Sequence, residues 1–243
     1  MLIYIRSILY AIFGLLSMVI YGILCLLSCL IPIGFKRRYR FMVVWPRMMI
    51  WGAKWIVGIN YVIKGREHIP DEPVIVCSKH QSMYETLFFP WFMPNPVCYV
   101  HKKVLNQIPI FGWAFSRLKH IPIDRSKPTE AIRQLVEIGA ERVKEHRDPV
   151  IFPEGTRVAP GEKGRYQQGA ARMALASGAN ILPVALNAGL CWKKKAVILK
   201  PGTITISFGP VIQTAGRNHQ EIMKEVEDWI EQEQKVLNPE LYE

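Results

Sequence analysis

From residue 60 onward, short β-branched apolar runs alternate with segments of helical periodicity, and this alternation is the strongest constraint on the fold of the chain. Such alternation is typical of an α/β domain, in which helices cover a mostly parallel sheet. Strands are predicted at residues 60–64 (an edge strand), 74–77, 97–101, 121–123, 149–152 and 181–186, with a hairpin of residues 196–199 and 203–208. Helices are predicted at residues 83–92, 110–118, 129–146 and 169–177, and after a cap at Asn218. We therefore expect residues 60–243 to form an α/β domain with a mixed, mostly parallel sheet flanked by helices.

Residues 1–59 have a different pattern, which predicts an N-terminal membrane-associated segment of two helices. Residues 8–31 are apolar over a length sufficient to cross a bilayer, and four basic residues follow at 36–40. A signal peptide is disfavoured because no small-x-small cleavage site is present and the positive charge follows the apolar stretch. A faint lipoprotein-like acylation site at Cys29 is disfavoured by the same basic cluster, which the positive-inside rule keeps in the cytoplasm. We expect a retained anchor in the inner (cytoplasmic) membrane, with the α/β domain on its cytoplasmic side.

Residues 41–63 are also apolar, but tryptophans, a proline and basic residues interrupt them. Arg40, Arg47 and Lys54 recur every seven residues, so in a helix they would form one stripe able to reach lipid headgroups. Two helices dipping into one leaflet, or a spanning helix followed by a surface helix, both fit this pattern. A second spanning helix is less favoured, and an ordinary core helix is a further alternative.

The composition points to an anionic partner and a reducing compartment. The formal net charge is +11 and half of the residues are hydrophobic, which favours anionic lipid or a phosphorylated substrate. Nucleic acid is disfavoured because the basic residues lie beside Trp- and Leu-rich segments. The five cysteines and six histidines lack the spacing of metal or redox sites, so no metal site is predicted.

His80 lies between the predicted strand 74–77 and the predicted helix 83–92, a position where a scaffold can hold a reactive side chain outside its core. If Glu85 lies in the first helical turn, its carboxylate could accept the second ring N–H of His80 and orient the ring as a general base. A structural alternative is equally open at this point. Ser82 and Glu85 also form a capping-box pattern, in which the carboxylate only satisfies a helix N-terminal amide.

Other charged residues follow predicted strands, and the carboxyl ends of strands are where open α/β sheets bind ligands. Arg157 offers a fork matched to phosphate, and Gly155 permits an unusual turn. The residues expected to converge with His80 on one phosphorylated ligand are Lys102, Lys103, Asp124, Arg125, Glu154 and Arg157.

Taken in order, these segments resemble the glycerolipid acyltransferase family over roughly residues 60–215, most closely its 1-acylglycerol-3-phosphate acyltransferases. The family's His-x4-Asp block is matched by His80 and Glu85, with glutamate in place of aspartate. The other blocks are matched at 112–125, at Phe-Pro-Glu-Gly-Thr-Arg (152–157) and at 181–184. Two further departures are Lys79, where asparagine is usual, and Val158, where serine is common.

The resemblance implies transfer of a fatty acyl group from acyl carrier protein or coenzyme A to the sn-2 hydroxyl of lysophosphatidic acid at a membrane surface. His80 is then the catalytic base and Glu85 its orienting carboxylate. The implied substrate-binding residues are Lys102, Arg125, Glu154, Gly155, Thr156 and Arg157.

Three other functions remain open. Another lysolipid acceptor would keep the mechanism, whereas a lipid hydrolase would need Ser82 or Cys77 as a nucleophile in a chain without a Gly-x-Ser-x-Gly elbow. A non-catalytic module that binds anionic lipid is the third.

Overall fold

The computed structural model describes residues 1–124 and 126–242. Its strands are β1 (Ile59–Lys64), β2 (Ile75–Ser78), β3 (Val97–Lys102), β4 (Ile121–Ile123), β5 (Asp148–Ile151), β6 (Ile181–Leu186) and β7 (Gly202–Phe208). Its α-helices are α1 (Leu2–Ser28), α2 (Phe35–Met42), α3 (Val44–Gly52), α4 (Tyr84–Phe92), α5 (Phe111–Ser116), α6 (Pro128–Lys144), α7 (Gly169–Ser177), α8 (Ala188–Cys191) and α9 (His219–Leu237). The predicted α/β class, with helices flanking a mixed sheet, is confirmed.

The seven strands form one sheet in the order β1-β7-β6-β2-β5-β3-β4. Among these strands, β6 and β7 are antiparallel neighbours, and the other adjacent pairs are parallel. β2 lies in the middle, and all four of its residues are buried, as expected for a short apolar strand covered on both faces. The carboxyl ends of β2, β5, β3 and β4 therefore meet at the same edge of the sheet.

Two apolar layers cover the sheet. On one face, β2 and β6 residues pack with α3 and α4 through side chains such as Met49, Ile50 and Phe88, and Tyr10 of α1 joins this cluster. On the other face, α7 and α9 supply Met173, Val226 and other buried side chains. Asn218 caps α9 as predicted, because its side chain accepts hydrogen bonds from the backbone N–H groups of Gln220 and Glu221 at 3.0 and 2.9 Å.

The predicted hairpin of residues 196–199 and 203–208 is wrong. Residues 196–199 form no strand, and β7 pairs with β1 in parallel and with β6 in antiparallel. Leu199 is instead held against α1, because its backbone N–H donates to the Ser7 hydroxyl at 3.0 Å. Residues 196–199 are thus a loop packed on α1, and the strand that follows them, β7, pairs with strands that are distant in the sequence.

The helix suggested by the seven-residue spacing of Arg40, Arg47 and Lys54 is divided as well. α2 and α3 meet at Val43, and a π-helical turn, Ala53–Val57, follows α3 before β1 begins. Arg40, Arg47 and Lys54 are all exposed, but they lie on three separate pieces.

α1 is long and apolar enough to cross a membrane, and 11% of its most apolar 18-residue stretch is buried inside the protein. Its buried face is made of small or polar side chains, while many large apolar side chains point outward. The buried residues are Ser7, Tyr10, Ser17, Cys25 and Ser28. The helix contacts the rest of the chain along its length: Ser7 meets Leu199, the Tyr10 hydroxyl donates to the carbonyl of Met49 at 3.1 Å, and Gly22 lies against Ile110.

Candidate active site

A cavity of about 1240 Å³ opens at the carboxyl ends of the central strands. His80, which follows β2, lines it together with the segment that follows β5 and with Lys102 at the end of β3. Much of the remaining wall is apolar and comes from α1 to α5, with Met18, Met42 and Phe115 among its residues. The predicted anchor therefore contributes to the site itself, which the sequence did not indicate.

His80 and Glu85 form the predicted contact. The Nδ1 atom of His80 lies 2.8 Å from Oε1 of Glu85, whose side chain is fully buried, whereas the His80 side chain is 14% exposed. Because a carboxylate can only accept, Nδ1 carries the proton and Nε2 is left as the basic nitrogen. The ring also stacks on Phe152, with centroids 3.9 Å apart. Burial, one carboxylate and one aromatic face thus fix the orientation of the ring.

The structural alternative for Glu85 holds as well. The same Oε1 atom accepts the backbone N–H groups of Gln81 at 2.8 Å and Ser82 at 2.7 Å, and the Ser82 hydroxyl accepts the N–H of Tyr84 at 3.0 Å. These bonds satisfy amides at the start of α4. Glu85 therefore caps the helix and orients the histidine with one oxygen.

The segment 152–158 folds against the backbone of His80. The N–H of Val158 donates to the carbonyl of His80 at 2.8 Å, and the N–H of His80 lies 3.3 Å from Oε2 of Glu154. Gly155 makes this turn with a φ of 68°, in the left-handed region that favours glycine. Gly155, Thr156 and Arg157 all line the cavity, so the motif at 152–157 and the histidine are parts of one site.

Glu154 is placed differently from the expected contact with substrate. Its side chain is fully buried, and Oε1 accepts from Nζ of Lys79 at 2.7 Å and from the N–H of Gly164 at 3.1 Å. Lys79 is itself fully buried and also forms an ion pair with Glu231 at 2.8 Å. Glu154 therefore belongs to an internal ion-pair cluster, although the residue also lines the cavity.

The charged residues expected to converge with His80 are brought together only in part. Lys102 and Arg157 line the cavity, and Arg172 of α7, which the sequence did not single out, lines it too. Asp124 is outside: it is exposed, and hydrogen bonds from the hydroxyl and N–H of Ser126 lower the pKa of its carboxyl. Arg125 lies outside the described residues, and Lys103 is absent from the described cavity wall.

Thr156 and Arg157 have an unexpected neighbour in Lys194. Its Nζ atom lies 3.0 Å from both the Thr156 hydroxyl and the Arg157 carbonyl. Lys194, which lies in the loop between α8 and β7, therefore contacts the motif at 152–157 although it is distant in sequence.

The two candidate nucleophiles of a hydrolase are poorly placed. Cys77 is fully buried in β2, and burial, followed by the charge of Glu154, raises the pKa of its thiol well above the usual range. The hydroxyl of Ser82, also buried, is occupied at the start of α4. A thiol held neutral is a weak nucleophile.

Another imidazole in the cavity wall, His120, is unsuited to act as a base. Its Nδ1 accepts the N–H of Tyr99 at 3.1 Å, so Nε2 carries the proton. Burial, and then the charge of Arg147, holds the pKa of His120 well below its usual range. His80 is thus better placed for proton transfer than His120.

Comparison with known proteins agrees with this geometry. Residues 60–187 match the protein family described as acyltransferase. The chain is 39% identical over 209 residues to the 1-acyl-sn-glycerol-3-phosphate acyltransferase of Pseudomonas aeruginosa, covering 84% of this chain and 81% of that one. It is 30% identical over 174 residues to the enzyme of that name from Cocos nucifera, covering 71% of this chain and 56% of the plant one.

The fold has a solved counterpart. The crystal structure of the 1-acyl-sn-glycerophosphate acyltransferase from Thermotoga maritima superposes with a TM-score of 0.81 over 96% of this chain and 95% of that one, at 21% identity. At this identity the likeness concerns the fold, including the helices that precede the sheet.

Proposed function

This chain belongs to the acyltransferase family, and from that premise we propose that it transfers a fatty acyl group from a thioester to the sn-2 hydroxyl of 1-acyl-sn-glycerol-3-phosphate, giving phosphatidic acid. The observation that carries the proposal is the His80–Glu85 pair, whose histidine lies in the wall of a large cavity that Lys102 and Arg157 also line. A base, phosphate-binding cations and apolar walls are what this bisubstrate reaction requires.

His80 acts as the general base. Its Nε2 takes the proton of the sn-2 hydroxyl as the oxygen attacks the thioester carbonyl, and Glu85 stabilises the imidazolium that forms. When the tetrahedral intermediate collapses, the C–S bond breaks and the imidazolium returns the proton to the departing thiolate. The products are phosphatidic acid and the free thiol of the donor, and no acyl-enzyme is formed.

The phosphate of the acceptor is held by side chains of the same cavity. Arg157 supplies a planar guanidinium suited to two phosphate oxygens, and Lys102 supplies a second positive charge. Arg125 is the third candidate of the sequence prediction. Gly155 and Thr156 shape the turn that presents Arg157, while Glu154 supports the backbone of His80.

The apolar walls fit fatty acyl chains. Residues of α1, α2, α4 and α5 supply much of the cavity wall, and most of them are apolar. The acyl donor is a thioester of acyl carrier protein or coenzyme A, and the reaction uses neither a metal nor a cofactor. The cavity thereby keeps the acyl chain out of water while its thioester is within reach of the base.

The outward face of α1 is proposed to lie in one leaflet of a membrane. Its exposed side chains include Ile12, Leu16 and Ile20, and Trp51 and Trp55 are exposed nearby in sequence on α3 and the π-helical turn. A helix that is packed against the protein along its whole length has only one face for lipid, which fits partial insertion better than crossing. The basic residues 36–40 then favour the cytoplasmic face of the inner membrane.

The decisive experiment offers the purified protein in phospholipid vesicles a panel of lyso-acceptors with both thioesters and identifies products by mass. We expect phosphatidic acid from lysophosphatidic acid, no product with His80→Ala, and normal turnover with His146→Asn, which changes an exposed histidine. Retained transfer by His80→Ala would refute the mechanism. Product only from another lysolipid would reassign the acceptor, and free fatty acid without acceptor would indicate a hydrolase. Lipid binding without thioester consumption would indicate a binding module.

A further inference from the structure

The two residues that flank His80 in the sequence are both bound by the C-terminal helix α9. Nζ of Lys79 lies 2.8 Å from Oε1 of Glu231, and Nε2 of Gln81 lies 2.9 Å from Oε1 of Gln234. Glu231 and Gln234 are three positions apart, so they lie on the same face of α9. One helix therefore binds the residues on both sides of the histidine, Lys79 and Gln81.

These contacts are buried and nearly all of their polar atoms are paired. Lys79 and Gln234 are fully buried, Gln81 is 1% exposed and Glu231 is 8% exposed. The remaining amide atoms of Gln81 and Gln234 bind the main chain. Oε1 of Gln81 accepts the N–H of Gly189 at 3.1 Å, and Nε2 of Gln234 donates to the carbonyl of Leu186 at 2.8 Å. A buried network of this kind loses much of its stabilisation when one member is removed, because its partner is left without a hydrogen bond.

The ionic half of the network reaches the backbone of the histidine through Glu154. Lys79 binds Glu154 and Glu231 together, and Glu154 in turn lies next to the N–H of His80. The Tyr166 hydroxyl donates to Glu231 at 2.7 Å and completes the coordination of its Oε1. One ammonium between two carboxylates gives this cluster a net charge of −1, and each charge depends on the others for compensation.

We propose that Glu231 and Gln234 are positioning residues for acyl transfer, holding His80 through Lys79 and Gln81. The inference rests on the proposed role of His80 as the base. It assigns to α9, which lies outside the motifs that carry the family resemblance and outside residues 60–187, a direct share in the geometry of the site. Since a misplacement of about 1 Å can reduce a rate by about 10²-fold, small shifts of this segment should appear in kcat.

The test compares the full-length variants Glu231→Gln and Gln234→Ala with controls on the same helix. Gln232→Ala changes an exposed neighbour, and Glu227→Gln removes an ion pair with Lys163 outside the network. We expect Glu231→Gln and Gln234→Ala to reduce kcat about tenfold, with KM for lysophosphatidic acid and for the thioester changed less than about twofold. The controls should retain the parental kcat.

A double variant that restores the net charge of the cluster distinguishes a positioning role from a loss of folding. Lys79→Gln leaves two buried carboxylates without their cation and should reduce kcat more than Glu231→Gln does. The double variant Lys79→Gln/Glu231→Gln restores the net charge of −1 and should recover at least threefold of the kcat lost in Lys79→Gln, a non-additivity expected of directly contacting residues. Thermal unfolding is measured for each variant, and kinetics are recorded well below the lowest midpoint.

Parental kcat in both α9 variants, or losses in them equal to those of the controls, would overturn the inference. Lower thermal midpoints with unchanged kcat would likewise reduce α9 to a stabilising element. Inclusion of His80→Ala keeps the two hypotheses apart. If His80→Ala is active, the proposed function fails, whereas an inactive His80→Ala with fully active α9 variants refutes the positioning role alone.

Discussion

Oε1 of Glu85 lies 2.8 Å from Nδ1 of His80 and at similar distances from two backbone N–H groups at the start of α4. The carboxylate therefore links the orientation of the imidazole to the beginning of a helix. Glutamate stands here in place of the aspartate usual in the resembling family, and its side chain reaches both the ring and the two backbone N–H groups.

Replacing Glu85 by glutamine should reduce kcat by on the order of 10²-fold, less than His80→Ala does. The amide oxygen can still accept the two backbone N–H groups, but it cannot stabilise an imidazolium by charge. Glu85→Ala should in addition lower the free energy of unfolding by about 1–3 kcal/mol for each of the buried amides left unpaired. Steady-state kinetics and thermal unfolding measured together check this, and an unimpaired Glu85→Gln would contradict the orienting role.

Asp148→Asn should remove a pH dependence of stability. Asp148 is fully buried at the start of β5, far along the sheet from the site edge, and burial raises the pKa of its carboxyl to about 7. In the unfolded chain this carboxyl titrates near 4, so between the two values the folded state binds more protons. The contribution of this group to the free energy of unfolding therefore falls as the pH rises from about 4 to about 7 and stays constant above.

Relative to the parent, Asp148→Asn should be equally stable near pH 4 and more stable at pH 8, by roughly 4 kcal/mol as an upper limit. Urea unfolding in detergent across this pH range measures the difference. Asp124→Asn is the matched control: hydrogen bonds lower the pKa of that exposed carboxyl, so any small effect should have the opposite sign. Parallel stability curves for the parent and Asp148→Asn would contradict the prediction.

Arg157→Ala should reduce activity with a phosphorylated acceptor much more than activity with an unphosphorylated one. We expect kcat/KM for lysophosphatidic acid to fall about 10²-fold because a charge-assisted pair of hydrogen bonds is lost, while the low activity with an unphosphorylated monoacylglycerol changes little. Lys102→Ala should show the same selectivity with a smaller effect. An equal loss with both acceptors would mean that Arg157 only shapes the turn after β5.

Charge on the outward face of α1 should weaken membrane binding. Ile12 and Leu16 are half or more exposed, and each would bury an apolar side chain worth about 1.5–3 kcal/mol on entering lipid. Ile12→Asp and Leu16→Asp should each reduce vesicle binding in flotation assays by about tenfold or more. Val236→Asp, on the exposed side of α9 across the sheet, is the control and should bind as the parent does. Equal flotation of all variants would contradict insertion of this face.

Local signals account for what the sequence predicted well. β6 and α7 have the predicted bounds because a continuous apolar run and a helical periodicity can each be recognised from a few neighbouring residues of the sequence. The contact between His80 and Glu85 was predictable for the same reason, since five positions separate them. The hairpin around Pro201 was wrong because the true partners of β7 are β1 and β6, and nothing near residue 200 specifies strands so distant.

The remaining features of the site depend on contacts across the whole chain. The ion pair of Lys79 and Glu231 joins residues 152 positions apart, and neither has a local pattern that marks the other. Glu154 was therefore assigned to substrate binding, although its carboxylate forms an ion pair with the buried Lys79. Likewise, the hydrophobicity of residues 1–59 predicted contact with lipid, but it could not show that α1 and α2 also build the cavity wall.

The central position of β2 has a consequence for biosynthesis. Its sheet neighbours are β5 and β6, which are translated long after it, so its two edges stay open while the intervening chain is made. An unpaired apolar strand is a template for wrong association. We therefore expect nascent chains to depend on a holding chaperone, and chains cut before β6 to aggregate rather than accumulate as partial domains.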